Sequence, residues 1–150
     1  MVRVVEYKKL FFLGFSLLLM DQLTKFFARS LLDEIILIPS VLSLTYVKNT
    51  GAAFGILQGN NLLFIFLSFA ALLFLFFFFN EFQEKKEKIL VTLIITGVIG
   101  NLFDRLFFGF VTDFITFPYW PSFNIADALL SSSVLILLLF SFFSNKRASS

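Results

Sequence analysis

Four apolar stretches, about 10–28, 62–79, 89–108 and 124–143, dominate this chain of 150 residues. A bilayer core about 30 Å thick takes roughly 20 helical residues to cross, and each stretch approaches that length. Four spans consume about half the chain and leave little room for a soluble domain. With 59% hydrophobic and 15% charged residues, the sequence reads as one integral membrane domain over residues 1–150. Arg3, Lys8 and Lys9 precede the first run as in a signal peptide, but no small-x-small cleavage pattern follows Met20, so that run is read as a retained span. Placing both termini and the Asn80–Lys88 loop in the cytoplasm gathers Arg3, Lys8, Lys9, Lys85, Lys86, Lys88, Lys146 and Arg147 on one side. The basic residues are thereby explained by topology and anionic lipid. They form no nucleic-acid stripe.

The chain has no cysteine and no histidine. Disulfides, thiolate metal sites, a cysteine nucleophile, a His-Glu zinc motif and a Ser-His-Asp triad are all excluded. Carboxylates, Ser/Lys pairs and backbone groups remain. Outside the spans, residues 29–61 differ in composition. Ile35–Ile38 and Val41–Val47 are β-branched or alternating around Pro39-Ser40 and are predicted as short strands. Asn49–Gly55 follows as a turn-rich loop or re-entrant element at the interface. The 25 phenylalanines are read as lipid-facing bulk, and Tyr119 and Trp120 between Pro118 and Pro121 as an interfacial anchor.

The remaining polar clusters fall at one end of the spans. Asp21, Gln22 and Lys25 close the first; Asn49 to Gly55 follow; Asn101, Asp104 and Arg105 close the third; Asp113 comes next; Asn124 and Asp127 open the fourth. Convergence on one membrane face is what a single active site requires. Asp21 and Lys25, four apart on a helix, suit an internal ion pair as well as a substrate contact. Asn101, Asp104 and Arg105 lie at i, i+3 and i+4, with Gly97 and Gly100 permitting close approach of a neighbouring helix. A scaffold role is favoured for Asp104 and Arg105, the arginine keeping its neighbour ionised. Asp113 and Asp127 have no sequence-adjacent base. Asp127 is expected in the first turn of the fourth span, where the helix dipole favours a carboxylate, and Asp113 among Phe110, Val111, Phe114 and Ile115 should ionise less readily. If they meet across a water they would share one proton, one acid and one base. From the residues alone, this dyad and plain polar packing both remain open.

Five blocks in order, Asp21-Gln22-Leu23-Thr24-Lys25, Asn49-Thr50-Gly51-Ala52-Ala53-Phe54-Gly55, Gly100-Asn101-Leu102-Phe103-Asp104-Arg105, Val111-Thr112-Asp113-Phe114 and Phe123-Asn124-Ile125-Ala126-Asp127, resemble the lipoprotein signal peptidases, the signal peptidase II family. The resemblance covers roughly residues 8–143. It implies an all-α integral membrane protein of four transmembrane helices, with a small extracytoplasmic β-cradle at about 29–61 and an interfacial helix. It further implies an intramembrane aspartyl endopeptidase with Asp113 and Asp127 as catalytic dyad. Asp21, Lys25, Asn49, Gly51, Asn101, Arg105 and Asn124 then surround the substrate groove, and with Asp104 they are the candidate substrate-binding or active-site-supporting residues. The implied substrate is a diacylglyceryl-modified prolipoprotein, cut on the N-terminal side of the lipidated cysteine by aspartate-activated water, with no metal or other cofactor. The implied setting is the bacterial cytoplasmic (inner) membrane, with a monomer among membrane lipid, both termini cytoplasmic and the active site extracytoplasmic. Two departures stand out: Ala128 occupies a position where relatives often carry serine, and the Thr116–Phe123 connection is short.

Three rival readings are a proton- or ion-coupled transporter, a Ser/Lys peptidase built on Lys25 or Lys48, and a non-enzymatic assembly factor. The first would distribute polar groups through the bilayer depth. The second lacks a serine in a nucleophile context, and the third would make Asp113 and Asp127 structural.

Overall fold

The computed structural model describes residues 2–51 and 57–148. Four helices carry the fold: α1 (Val2–Ala28), α2 (Asn61–Phe78), α3 (Lys85–Phe108) and α4 (Ile125–Ala148). Val5–Ala28, Asn61–Glu81, Lys85–Phe108 and Ile125–Phe143 are long and apolar enough to cross a membrane. Their outward faces are apolar where a water-soluble bundle would be charged. No residue of α2 is buried, and its Phe66, Phe76 and Phe77 are at least 70% exposed. That surface is matched to hydrocarbon, not to water.

The core lies along α3, which packs against α1, α2 and α4 and buries Leu90, Val91, Ile94, Val98 and Leu102. Its start is fixed by a reciprocal cap in which Glu84 and Glu87 each accept the other's backbone N–H. Its end is set by Gly109 in the left-handed region at φ 79°, whose N–H bonds to the Arg105 carbonyl. Two glycines let α4 and α1 lie close against it. A Cβ on Gly97 would stand 2.5 Å from the Ala126 carbonyl, and one on Gly100 would stand 2.8 Å from Asp21 Oδ2. Small residues at a helix interface allow this approach.

The second layer is an antiparallel sheet in the order β1 (Ile35–Ile38), β2 (Leu42–Asn49), β3 (Val111–Phe117), β4 (Trp120–Phe123). The strands at 35–38 and near 41–47 are as the β-branched pattern predicts. β3 and β4 correct the expected fold class: the protein is not all-α, and half its sheet comes from beyond α3 instead of from residues 29–61. Among the described residues, no helix stands between the four spans, the 3-10 turn at Phe79–Glu81 closing the second of them, so the expected interfacial helix is not found there. The Ala52–Gly55 part of the expected loop or re-entrant element lies outside the described residues. Of the expected aromatic anchor, Tyr119 forms the β3–β4 turn at φ 64° and Trp120 opens β4, and both are exposed.

Pairing of β2 with β3 sets Val47 opposite Asp113 and Asn49 opposite Val111. Residues two apart share a face, so Asn49 and Asp113 lie on the same side of the sheet. Thr112 and Lys48 take the other side.

Candidate active site

Asn124 is the hinge of the polar cluster. It caps α4: its Oδ1 accepts the Asp127 N–H at 2.9 Å, and Asp127 Oδ2 accepts the Asn124 N–H at 3.2 Å. This reciprocal box places Asp127 at the third helical position, in the first turn as expected. The same Asn124 side chain donates from Nδ2 to Asp113 Oδ1 at 2.7 Å, so one fully buried amide holds both aspartates.

Each carboxylate has a second amide donor. Asn49 Nδ2 donates to Asp113 Oδ2 at 2.9 Å, and Asn101 Nδ2 donates to Asp127 Oδ1 at 2.7 Å. Asn49 is oriented in turn by the Gly51 N–H, which donates to its Oδ1 at 2.9 Å, and the Gly51 carbonyl accepts from Arg105 at 3.3 Å. Asp113 is 1% exposed. Burial pushes its carboxyl up to about 7, and the Asp127 charge adds to the rise. The Asn49 and Asn124 amides and the Lys25 charge oppose it without cancelling it.

Behind the pair lies a buried charge cluster. Lys25 Nζ contacts Asp21 Oδ2 and Asn101 Oδ1, both at 2.9 Å, and Asp104 Oδ2 at 3.7 Å. Asp21 also accepts the Ala126 N–H at 2.8 Å, capping α4 from α1. The ion pair expected from the four-residue spacing is therefore present, and it is structural as well as electrostatic. The Asp104–Arg105 pairing expected from adjacency is not. Consecutive helical residues point about 100° apart, and Asp104 turns back toward β3 while Arg105 faces the cavity. The arginine on Asp104 is Arg29, at 2.9 Å. Sequence reasoning missed Arg29 and Thr112. The signal was there for Arg29, because Asp21, Lys25 and Arg29 repeat at four-residue intervals along α1 and the turn that follows it. With Lys25 held by Asp21 and Asn101, the Ser/Lys reading has no free amine at this position.

A cavity of about 990 Å³ opens between α2 and α4. Its polar end carries Asn49, Gly51, Asn101, Arg105 and Asp127. The rest is apolar, with Phe64, Leu67, Ala71, Phe74 and Leu75 on α2 facing Leu130 and Val134 on α4. From Phe64 to Leu75 the lining runs roughly 16 Å along the helix. Serine hydroxyls on its walls fold onto their own helices, Ser68 to the Phe64 carbonyl and Ser131 to the Asp127 carbonyl, each at 2.7 Å. Asp127 lines this cavity, whereas Asp113 is buried and does not line it. Ala128, the departure beside the second aspartate, also lines it.

The family described as signal peptidase (SPase) II matches residues 13–143. A lipoprotein signal peptidase of Caldicellulosiruptor bescii is 41% identical over 124 residues, covering 81% of this chain and 83% of that protein. One of Clostridium tetani is 40% identical over 133 residues, covering 82% and 85%. A solved bacterial membrane enzyme, determined by the in meso method at 2.3 Å resolution, superposes with a TM-score of 0.86 at 28% identity, covering 95% of this chain and 92% of that one. A second, at 1.9 Å resolution, gives 0.80 at 30% identity, covering 90% and 92%. Sequence and fold thus agree over most of the chain and of its relatives, and the chain belongs to the signal peptidase II family.

Proposed function

We propose that this chain is a lipoprotein signal peptidase that removes signal peptides from diacylglyceryl-modified prolipoproteins, with Asp113 and Asp127 as its catalytic pair. The observation that carries the reading is one buried amide, Asn124, bonded to both aspartates at the polar end of an apolar cavity. Asp127 faces that cavity and takes the proton from an attacking water. Asp113, with a carboxyl near 7, gives its proton to the scissile carbonyl oxygen as the water adds; when the C–N bond then breaks, Asp127 passes the water-derived proton to the leaving amine and Asp113 takes one back from the collapsing diol. No covalent intermediate forms, and the two groups exchange roles through a shared proton.

Asn101, Asn49 and Asn124 orient the pair, and Gly51 and Arg105 line the approach for substrate backbone. Lys25, Asp21 and Asp104 are support beneath them. The signal segment and acyl chains lie in the α2–α4 cavity, where close packing against its apolar walls, exchanged for packing against lipid, fixes the peptide at the pair. The sheet forms a cradle beside the cleavage point. The chain acts as a single-domain monomer in the bacterial inner membrane, with its termini cytoplasmic and this site on the outer face.

The test uses wild type, Asp113→Asn and Asp127→Asn, purified in detergent and matched for melting temperature. Each is incubated with a diacylglyceryl-modified lipobox precursor and its unlipidated counterpart. Only wild type should cut, only the lipidated precursor, and each substitution should cost at least about 100-fold. A well-folded wild type that leaves the precursor intact, or a substituted protein that cuts normally, would transfer the aspartates to a structural role.

A further inference from the structure

Arg29 follows α1 directly, one turn beyond Lys25, and is 19% exposed. Its guanidinium donates from Nη2 to Asp104 Oδ1 and from Nε to Thr112 Oγ1, both at 2.9 Å, and lies 3.9 Å over the Phe108 ring. The other oxygen of Asp104 accepts the Thr112 N–H at 2.8 Å. Thr112 is thus gripped at side chain and backbone by one ion pair. It immediately precedes Asp113, and its carbonyl accepts from Asn124 Nδ2 at 3.3 Å.

We propose that Arg29 is a positioning residue for the aspartate pair: by holding Asp104 it fixes Thr112, and with it the backbone of Asp113, and it leaves Lys25 to Asp21 and Asn101. The proposal rests on the peptidase reading above. Asp104 is 0% exposed and has two cations in reach, Arg29 at 2.9 Å and Lys25 at 3.7 Å. Remove the first and the buried carboxylate draws on the second. Lys25 can approach Asp104 only by loosening its 2.9 Å contacts to Asp21 and Asn101, and Asn101 is the amide that holds Asp127.

The charged and titratable groups packed about this cluster come from every neighbouring element: Asp21, Lys25 and Arg29 from α1 and its end, Tyr46 and Lys48 from β2, Asp104 and Arg105 from α3, Asp113 from β3 and Asp127 from α4. Lys48 lies outward over Tyr46 and Phe110. With one proton on the pair, single negative charges on Asp21, Asp104 and the pair are matched one for one by Lys25, Arg29 and Arg105. Loss of Arg29 leaves an excess negative charge, which makes the pair hold its proton to higher pH.

The experiment measures kcat, KM, the pH dependence of kcat and the melting temperature for wild type, Arg29→Lys, Arg29→Met and Thr112→Val on the lipidated precursor in detergent. Arg29→Met should lower kcat about tenfold with KM within about twofold, and its alkaline limb should move to higher pH. Arg29→Lys keeps the charge and should return the limb to its wild-type position. Thr112→Val keeps the charge but loses the Nε bond; kcat should fall about threefold with the limb unmoved, which keeps the proposal testable if Arg29→Met does not fold. Wild-type kcat and limb in Arg29→Met, or unchanged kcat in Thr112→Val, would overturn it. So would equal losses in Arg29→Met and Arg29→Lys that only follow melting temperature. Failure of the wild type to cut would instead overturn the peptidase reading, so the two failures are distinguishable.

Discussion

Asp113 is placed where a carboxylate is costly to ionise, and that cost is a stability statement. Its ordinary value of 3.8 is raised to about 7 in the folded protein, chiefly by burial. A carboxyl raised in this way contributes stability that is fully present below about pH 4 and is lost as pH rises through about 7. Asparagine at the same position does not titrate and keeps a similar shape. The melting temperature of Asp113→Asn, relative to wild type, should therefore be more favourable at pH 8 than at pH 4.5. A difference independent of pH would sink this account. The sequence made the perturbation legible, because Phe110, Val111, Phe114 and Ile115 flank the residue. It named Asn49, Asn101 and Asn124 at the site but not the bonds they make, because Asn49 and Asn101 reach the pair only through pairing of strands and helices far apart in the chain. The Asp104 assignment failed for a related reason: adjacency suggested Arg105, whereas helical geometry sends neighbours to different faces and a residue 75 positions away does the pairing.

At the scale of elements, the site depends on how closely α4 can lie on α3. Gly97 has a backbone carbonyl in the way of any Cβ, at 2.5 Å from Ala126 O, with Leu130 Cβ at 3.0 Å. Gly14, between α1 and α3, would meet only the Thr96 and Thr92 side chains, at 3.0 and 3.4 Å. Gly97→Ala should thus push the start of α4 outward, costing about 1–3 kcal/mol and most of the activity. Gly14→Ala should cost clearly less of both. Melting temperature and cleavage rate of the two proteins check this, and equal effects would mean that the α3–α4 approach is not what limits the site. The spans were legible from length and apolarity, and β1 and β2 from β-branched alternation. β3 and β4 were not: Val111–Phe117 is buried on both faces at its start, so it shows no clean alternation, and its partner β2 lies more than 60 residues earlier.

Across the whole molecule, the polar cluster, the sheet and the polar end of the α2–α4 cavity all lie at one end of the helices, and the lysine-rich Asn80–Lys88 segment lies at the other. The absence of cysteine makes the sidedness directly measurable. Gln83→Cys and Glu34→Cys each introduce a single thiol at an exposed position, on opposite ends. In intact cells, a membrane-impermeant thiol reagent should label Glu34→Cys and spare Gln83→Cys until the membrane is opened. The reverse pattern would invert the proposed topology.

The cap that Asp21 provides to α4 also bears on when such an enzyme becomes dangerous. The first span supplies the acceptor for the Ala126 N–H, and the last supplies both Asn124 and Asp127. A chain that has inserted three of its four spans holds Asp113 alone, without the amide that joins it to a partner. With Asp113 and Asp127 as the proposed pair, proteolytic competence would arrive only when the final segment docks against the first, and an unfinished copy would be harmless to the membrane proteins around it.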